Sequence, residues 1–200
     1  MTSGGDAAHR LLVHKTEFQT DESGIGGVSI QAIYTELVAD TARNAQIVAD
    51  VTAAFRAGRT CLVLSSRVDH VDALARALRA SIEPVHVLHG RMPRLERAET
   101  RAALAAASKS PFVLVAIDKI AGEGLDLPAL DTLFLAVPIS FKGRVVQQLG
   151  RVTRGGDGAS VVHDYRDAQV LMLDQMHLKR SRVMQKQGFR VDALPAAPDA

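Results

Sequence analysis

The chain has 200 residues, with 24 Lys plus Arg against 22 Asp plus Glu and a formal net charge of +2. That length suits one domain with a full core, and the near balance of charge excludes an argument for polyanion binding from bulk charge alone. The lone cysteine, Cys61, excludes an internal disulfide framework and fits a reducing compartment.

The first residues, Met1–Asp6, are small and polar and lack the apolar core of a signal peptide. Residues 1–28 read as a lead-in or linker, with a short strand at Leu11–Phe18 and a Gly-rich loop at Asp21–Gly27. Ser29 suits the N-cap of a helix through Ile30, Ile33 and Leu37. A second helix is expected over Thr41–Ala57, with Ile47, Val51 and Phe55 on one face and Gly58 as its stop. The chain then alternates. Cys61–Leu64 is an apolar run, and Val68–Ala80 is helical, with Val71, Leu74 and Leu78 at helical spacing. Val85–Leu88 is a strand. Pro93–Ala107 is an Ala-rich helix with Pro93 in its first turn. Strands follow at Phe112–Ile117 and Thr132–Ala136, a helix at Arg144–Arg154, a strand at Ala159–Val162 and a last helix at Ala168–Gln187. Residues 189–200, with Pro195 and Pro198, read as a loose tail, which leaves 29–188 as the folded domain. No apolar run approaches the roughly 20 residues of a membrane span, so no membrane partner is expected and the expected location is cytoplasmic.

Short apolar strands alternating with amphipathic helices indicate an α/β fold with a mostly parallel sheet covered on both faces. Ligands in such folds bind at the carboxyl ends of the strands. Those ends fall at Ser65–Arg67, His89–Arg91, Asp118–Asp126 and Val137–Gly143.

Two segments carry the chemistry. Gln147, Gly150, Arg151 and Arg154 stand at i, i+3, i+4 and i+7 and share one helical face. Two guanidiniums and an amide there form a polyanion-reading surface, although spacing alone equally allows a solvated salt-bridge face. Gly150 in mid-helix costs about 1 kcal/mol relative to Ala and suits a close backbone approach. Val113–Pro128 is a buried strand followed by a loop with Gly122, Glu123, Gly124 and Asp126. By itself it reads more readily as a plain Gly-rich turn with Asp126 as a helix cap.

The pattern Gln-x-x-Gly-Arg-x-x-Arg at 147–154 resembles motif VI of superfamily 2 helicases, and Val113–Pro128 resembles their motif V. Cys61–Arg67 resembles motif IV, and Val87–Arg91 with the helix after it resembles the motif that follows. The ordered set spans about residues 60–165. Leu130–Gly143 and Val162–Tyr165 are similar to a bacterial and phage branch of DEAD/DEAH-type helicases, in which the Arg43–Asn44 helix and the final helix flank the lobe.

The resemblance implies a RecA-like three-layer sandwich, the C-terminal lobe of an ATP-dependent helicase or translocase. It implies that Arg154 is the principal arginine finger and Arg151 its partner, since a positioned guanidinium stabilises charge on the transferred phosphoryl oxygens. It places Gly124, Asp126, Gln147 and Gly150 on the nucleotide side. It places Ser65, Ser66, Arg67, His89, Gly90, Arg91, Ile117, Asp118 and Lys119 against the backbone of DNA or RNA. Ile117 departs from the family, which usually has Thr there. An isoleucine side chain donates no hydrogen bond, so a phosphate contact at that point falls to backbone N–H groups.

The sequence contains no G-x-x-x-x-G-K-[ST] loop and no Asp-Glu-x-Asp/His after an apolar strand. ATP and Mg2+ are therefore expected to be held mainly by a first RecA-like lobe, and this chain alone is expected not to hydrolyse ATP. No metal-ligand set stands out, because His86-x-x-His89 lacks further ligands. Asp69, His70 and Asp72 read as a helix N-terminal turn, and Ser65 and Ser66 lie in no nucleophile elbow. The charged Leu178–Lys186 face reads as solvated or packed on a partner lobe. Two other classes stay open: a stand-alone nucleic-acid or protein-binding module derived from a helicase lobe, and an unrelated α/β enzyme such as a nucleotide-dependent transferase.

Overall fold

Along the central strands every residue is apolar or small, and successive side chains must point to opposite faces of a sheet. The computed structural model shows where each set goes. It describes residues 9–20, 29–107, 110–118, 130–139 and 160–193. The strands are β1 (Arg10–Lys15), β2 (Cys61–Ser65), β3 (Val85–Leu88), β4 (Val113–Ile117), β5 (Thr132–Leu135), β6 (Val161–Arg166) and β7 (Arg190–Ala193). The helices among the described residues are α1 (Ile30–Ala39), α2 (Thr41–Arg56), α3 (Val68–Arg79), α4 (Arg94–Ala106) and α5 (Leu171–Lys186).

The strands form one sheet in the order β3-β4-β2-β5-β6-β1-β7, and every pairing is parallel. Leu62, Leu64, Leu114, Ala116, Leu133 and Leu135 point to one face. There they pack with Ile33 and Leu37 of α1, Leu104 of α4, and Leu173 and Met184 of α5. Cys61, Val63, Val113, Val115, Phe134 and Tyr165 point to the other face, against Ile47 and Val51 of α2 and Val71, Leu74 and Leu78 of α3. The result is helix on sheet on helix, as an all-parallel sheet with two buried faces requires.

Local signals explain the helix limits. Ser29 accepts a hydrogen bond from the Gln31 N–H and caps α1, and Asp40 accepts one from the Arg43 N–H and caps α2. Gly58, at φ +82°, takes the left-handed conformation just past α2. No helix among the described residues is long and apolar enough to cross a membrane.

Two expected boundaries need correction. The lead-in 1–28 contains β1, which lies inside the sheet between β6 and β7. The tail 189–200 begins with β7, which extends the sheet by one strand. That strand is short, exposed at Arg190 and Val191, and carries charges, so it has no apolar run to mark it. The charged face of α5 also needs correction, because Arg180 is 2% exposed and pairs with Asp164 of β6.

Candidate nucleic-acid and nucleotide interface

Parallel strands place all their carboxyl ends on one side, so the expected contact segments converge. β4 lies between β2 and β3, with Ser65 in register with Ile117 and Leu88 with Ala116. Ser65–Arg67, His89–Arg91 and Ile117–Asp118 therefore sit side by side along one edge. The structure brings together the expected contact residues that it describes. Lys119, Gly124, Asp126, Gln147, Gly150, Arg151 and Arg154, and the helix expected at Arg144–Arg154, lie outside the described residues.

The members of this edge differ in what they present. The Ser65 hydroxyl is fully buried; it bonds to His70 Nδ1 at 3.0 Å and accepts the Arg67 N–H at 3.2 Å. Ser66 carries a buried hydroxyl with no partner. Arg67 donates to the carbonyl and the side-chain oxygen of Gln31 on α1, at 3.2 and 2.8 Å. His89 is buried and its Nε2 lies 3.1 Å from Asp72, while Arg91 is exposed and lies 3.0 Å from Asp69. Asp69 and Asp72 thus tie the loop after β3 to the first two turns of α3. The exposed Arg91–Asp69 pair is worth about 1 kcal/mol at most, so it orients the loop more than it stabilises the fold. The Ile117 side chain packs into the core. Gly90 is exposed between these groups.

The N-terminal helical pair frames this edge, and sequence reasoning missed most of it. Tyr34 of α1 donates to the Pro138 carbonyl just past β5. Arg43, 2% exposed in the first turn of α2, donates from Nε to Asp167 at 2.8 Å and from Nη1 to the Ala136 carbonyl at 2.6 Å. Thr16, just past β1, donates to the same Asp167 at 2.6 Å. A guanidinium fixed by a carboxylate and a carbonyl holds the ends of β5 and β6 at a set distance from α2. Asn44, next in sequence, reaches His70 at 2.9 Å. The only signal in the sequence was a polar Arg-Asn pair entering an amphipathic helix.

Deeper in the sheet, aromatic and imidazole rings stack across three strands. Phe134 lies 4.1 Å from His163, His163 lies 5.0 Å from His14, and His14 lies 4.8 Å from Tyr165, between ring centroids. The Tyr165 hydroxyl and His14 Nδ1 both reach Asp50 of α2, at 3.0 and 3.1 Å. Burial, and then the neighbouring His14 and more distant arginines, push the His163 ring down to about 3. Burial and the nearby Arg43 push His70 down to about 3. Burial lowers His14 as well, against the pull of Asp50.

The sign of the resulting pH dependence is fixed. A histidine whose folded value lies below its unfolded value binds its proton in the unfolded chain first. Stability is then full above about 6.5 and falls as the pH drops from there toward about 3. Between roughly pH 7.5 and roughly pH 5, His70 and His163 are each expected to remove about 2 kcal/mol. Urea unfolding at the two pH values measures this, and equal midpoints would exclude it.

The histidines expected not to hold metal are separately engaged. His86 meets Phe112 edge-on at 5.8 Å, whereas His89 faces Asp72. No cluster of three or more His, Cys, Asp or Glu side chains suited to a metal ion occurs among the described residues.

Comparison with known proteins agrees with this architecture. The model of the helicase conserved C-terminal domain matches residues 43–156, and the chain belongs to that family. No curated protein is recognisably similar in sequence. Among solved structures, UvsW of T4 superposes with a TM-score of 0.74 at 17% identity, covering 94% of this chain and 41% of that one. Domain 2 of the DEAD-box helicase Mss116p, solved bound to an RNA duplex, gives 0.53 at 12% identity, covering 94% and 65%. The C-terminal domain of Dbp5 from S. cerevisiae, solved with Gle1 and IP6, gives 0.56 at 14% identity, covering 75% and 84%. These likenesses establish the RecA-like fold. The chain spans less than half the length of UvsW.

Proposed function

We propose that this domain is the second motor lobe of an ATP-dependent nucleic-acid helicase or translocase. The observation that carries the reading is the convergence of Ser65–Arg67, His89–Arg91 and Ile117–Asp118 on one sheet edge, inside a chain whose family match runs through the arginine pair of residues 151 and 154. In this reading ATP and Mg2+ are held mainly by a first RecA-like lobe. Arg154 and Arg151 approach the γ-phosphate when the lobes close, with Gly124, Asp126, Gln147 and Gly150 beside the nucleotide. The strand-end loops, together with Lys119, hold the sugar-phosphate backbone of DNA or RNA.

The burial of Ser65 and Ile117 narrows the strand contacts. Their side chains face inward, so they serve the strand through loop backbone, and Arg67, Gly90 and Arg91 supply the outward surface. Contacts of this kind position the strand and carry little sequence information. The domain is taken to comprise residues 10–193, with β1 and β7 included.

ATP turnover, with and without single-stranded DNA and RNA, tests the proposal on this chain alone and on the longest native chain that contains it. The expected result is silence from the 200-residue chain and stimulated turnover from the longer one. Hydrolysis by this chain alone would overturn the division of labour, because a phosphate-cradling loop would then have to lie within it.

A further inference from the structure

His70 lies in the first turn of α3 and is 1% exposed. Both of its ring nitrogens are engaged, and the partners fix which one carries the proton. The Asn44 amide nitrogen donates to the Val38 carbonyl at 2.9 Å, so its oxygen faces His70 Nε2, also at 2.9 Å, as an acceptor. Nε2 must therefore bear the hydrogen. Nδ1 is left with its lone pair, and the Ser65 hydroxyl donates to it at 3.0 Å. Ser65 Oγ is then free to accept the Arg67 N–H. The ring stays neutral here, because burial and Arg43 disfavour its charged form.

The four groups form a directed chain from helix α2 to the loop after β2: Asn44, His70, Ser65 and the Arg67 backbone. The same first turn of α2 grips the end of β5 through Arg43 and Ala136. We propose that Asn44 and His70 are positioning residues that hold the Ser65–Arg67 loop in the shape that receives a nucleic-acid backbone. The inference rests on the proposed motor function and adds to it two residues that touch no ligand. A loop fixed in advance gives up less conformational freedom on binding than a loose one, so losing the chain weakens strand affinity.

The test uses the longest native chain containing the domain. It reads half-saturating concentrations of single-stranded nucleic acid and of ATP, kcat, and the melting temperature. Asn44→Ala is expected to raise the half-saturating nucleic-acid concentration about tenfold, the equivalent of one hydrogen bond. Half-saturation by ATP should stay within about twofold, since that difference is small on the same scale. Asn44→Asp, which keeps an acceptor for Nε2–H but loses the donor to the Val38 carbonyl, should restore strand affinity in part. Ser65→Ala, which breaks the chain at its other end, should repeat the defect. An unmoved nucleic-acid value, a matching rise for ATP, or a fall in melting temperature without a change in strand affinity would overturn the proposal. A wild-type chain that nucleic acid does not stimulate would instead overturn the motor reading, and this inference with it.

Discussion

Arg154→Ala, made in the longest native chain containing this domain, is expected to reduce nucleic-acid-stimulated ATP turnover by about a thousandfold. The loss should fall on kcat, with half-saturation by ATP little changed, because a finger that acts on developing charge contributes in the transition state and little in the ground state. Arg154→Lys should not recover the activity. An ammonium is a point charge and lacks the planar fork that spans two phosphoryl oxygens. Arg151→Ala should lower turnover by a smaller factor if it is the partner and Arg154 the principal finger. Steady-state kinetics with saturating single-stranded nucleic acid reads all three. Turnover within a few-fold of wild type for Arg154→Ala would remove the arginine-finger role and leave a domain that binds polyanions.

The largest stability effect is expected at Asp164. This carboxylate lies on β6, is fully buried, and receives His177 Nδ1 at 2.8 Å and the Arg180 guanidinium at 2.8 and 3.2 Å. Burial pushes its acid up, but the adjacent Arg180 and the hydrogen bonds from His177 and Arg180 outweigh that and hold it below the ordinary carboxylate range. Asp164→Ala strands a guanidinium that is 2% exposed and already has one nitrogen without a partner. Breaking a buried pair in this way costs about 3–5 kcal/mol, against a total stability of about 5–15 kcal/mol for a domain. Replacing both partners, as in Asp164→Leu with Arg180→Met, should recover much of the loss, because no unpaired charge is then buried. Urea midpoints of the single and double variants measure this. A single variant within about 1 kcal/mol of wild type would mean that water reaches Arg180 and solvates it.

The parts of the fold that sequence reasoning reached are those set by local pattern. Cys61–Leu64, Val85–Leu88 and Phe112–Ile117 announce buried strands because both of their faces are covered. Ser29 and Gly58 announce helix limits because a cap and a left-handed turn each favour particular residues. What it missed depends on contacts between distant segments. Arg180 sits in a run of charged residues that looks solvated, and only the fold reveals Asp164 beneath it. His70 looks like part of an ordinary helix start, yet its partners come from α2 and the end of β2. The edge of the candidate site followed from the parallel topology. The inward turn of Ser65 did not, because a hydroxyl after an apolar strand has the same sequence whether it faces core or solvent.

The placement of β1 has a consequence for how the domain is made. In sequence this strand precedes its two sheet neighbours, β6 and β7, by the whole of β2–β5. Leu11 faces Val162 on one side and Val191 on the other. During translation β1 must wait for β6 and β7, with β2–β5 made in between, before both of its sheet edges are paired. Closure of the sheet through β1 is then a late, non-local event, of the kind that slows folding and leaves strand edges open in the meantime. Until β6 and β7 emerge, both edges of β1 remain available to other strands.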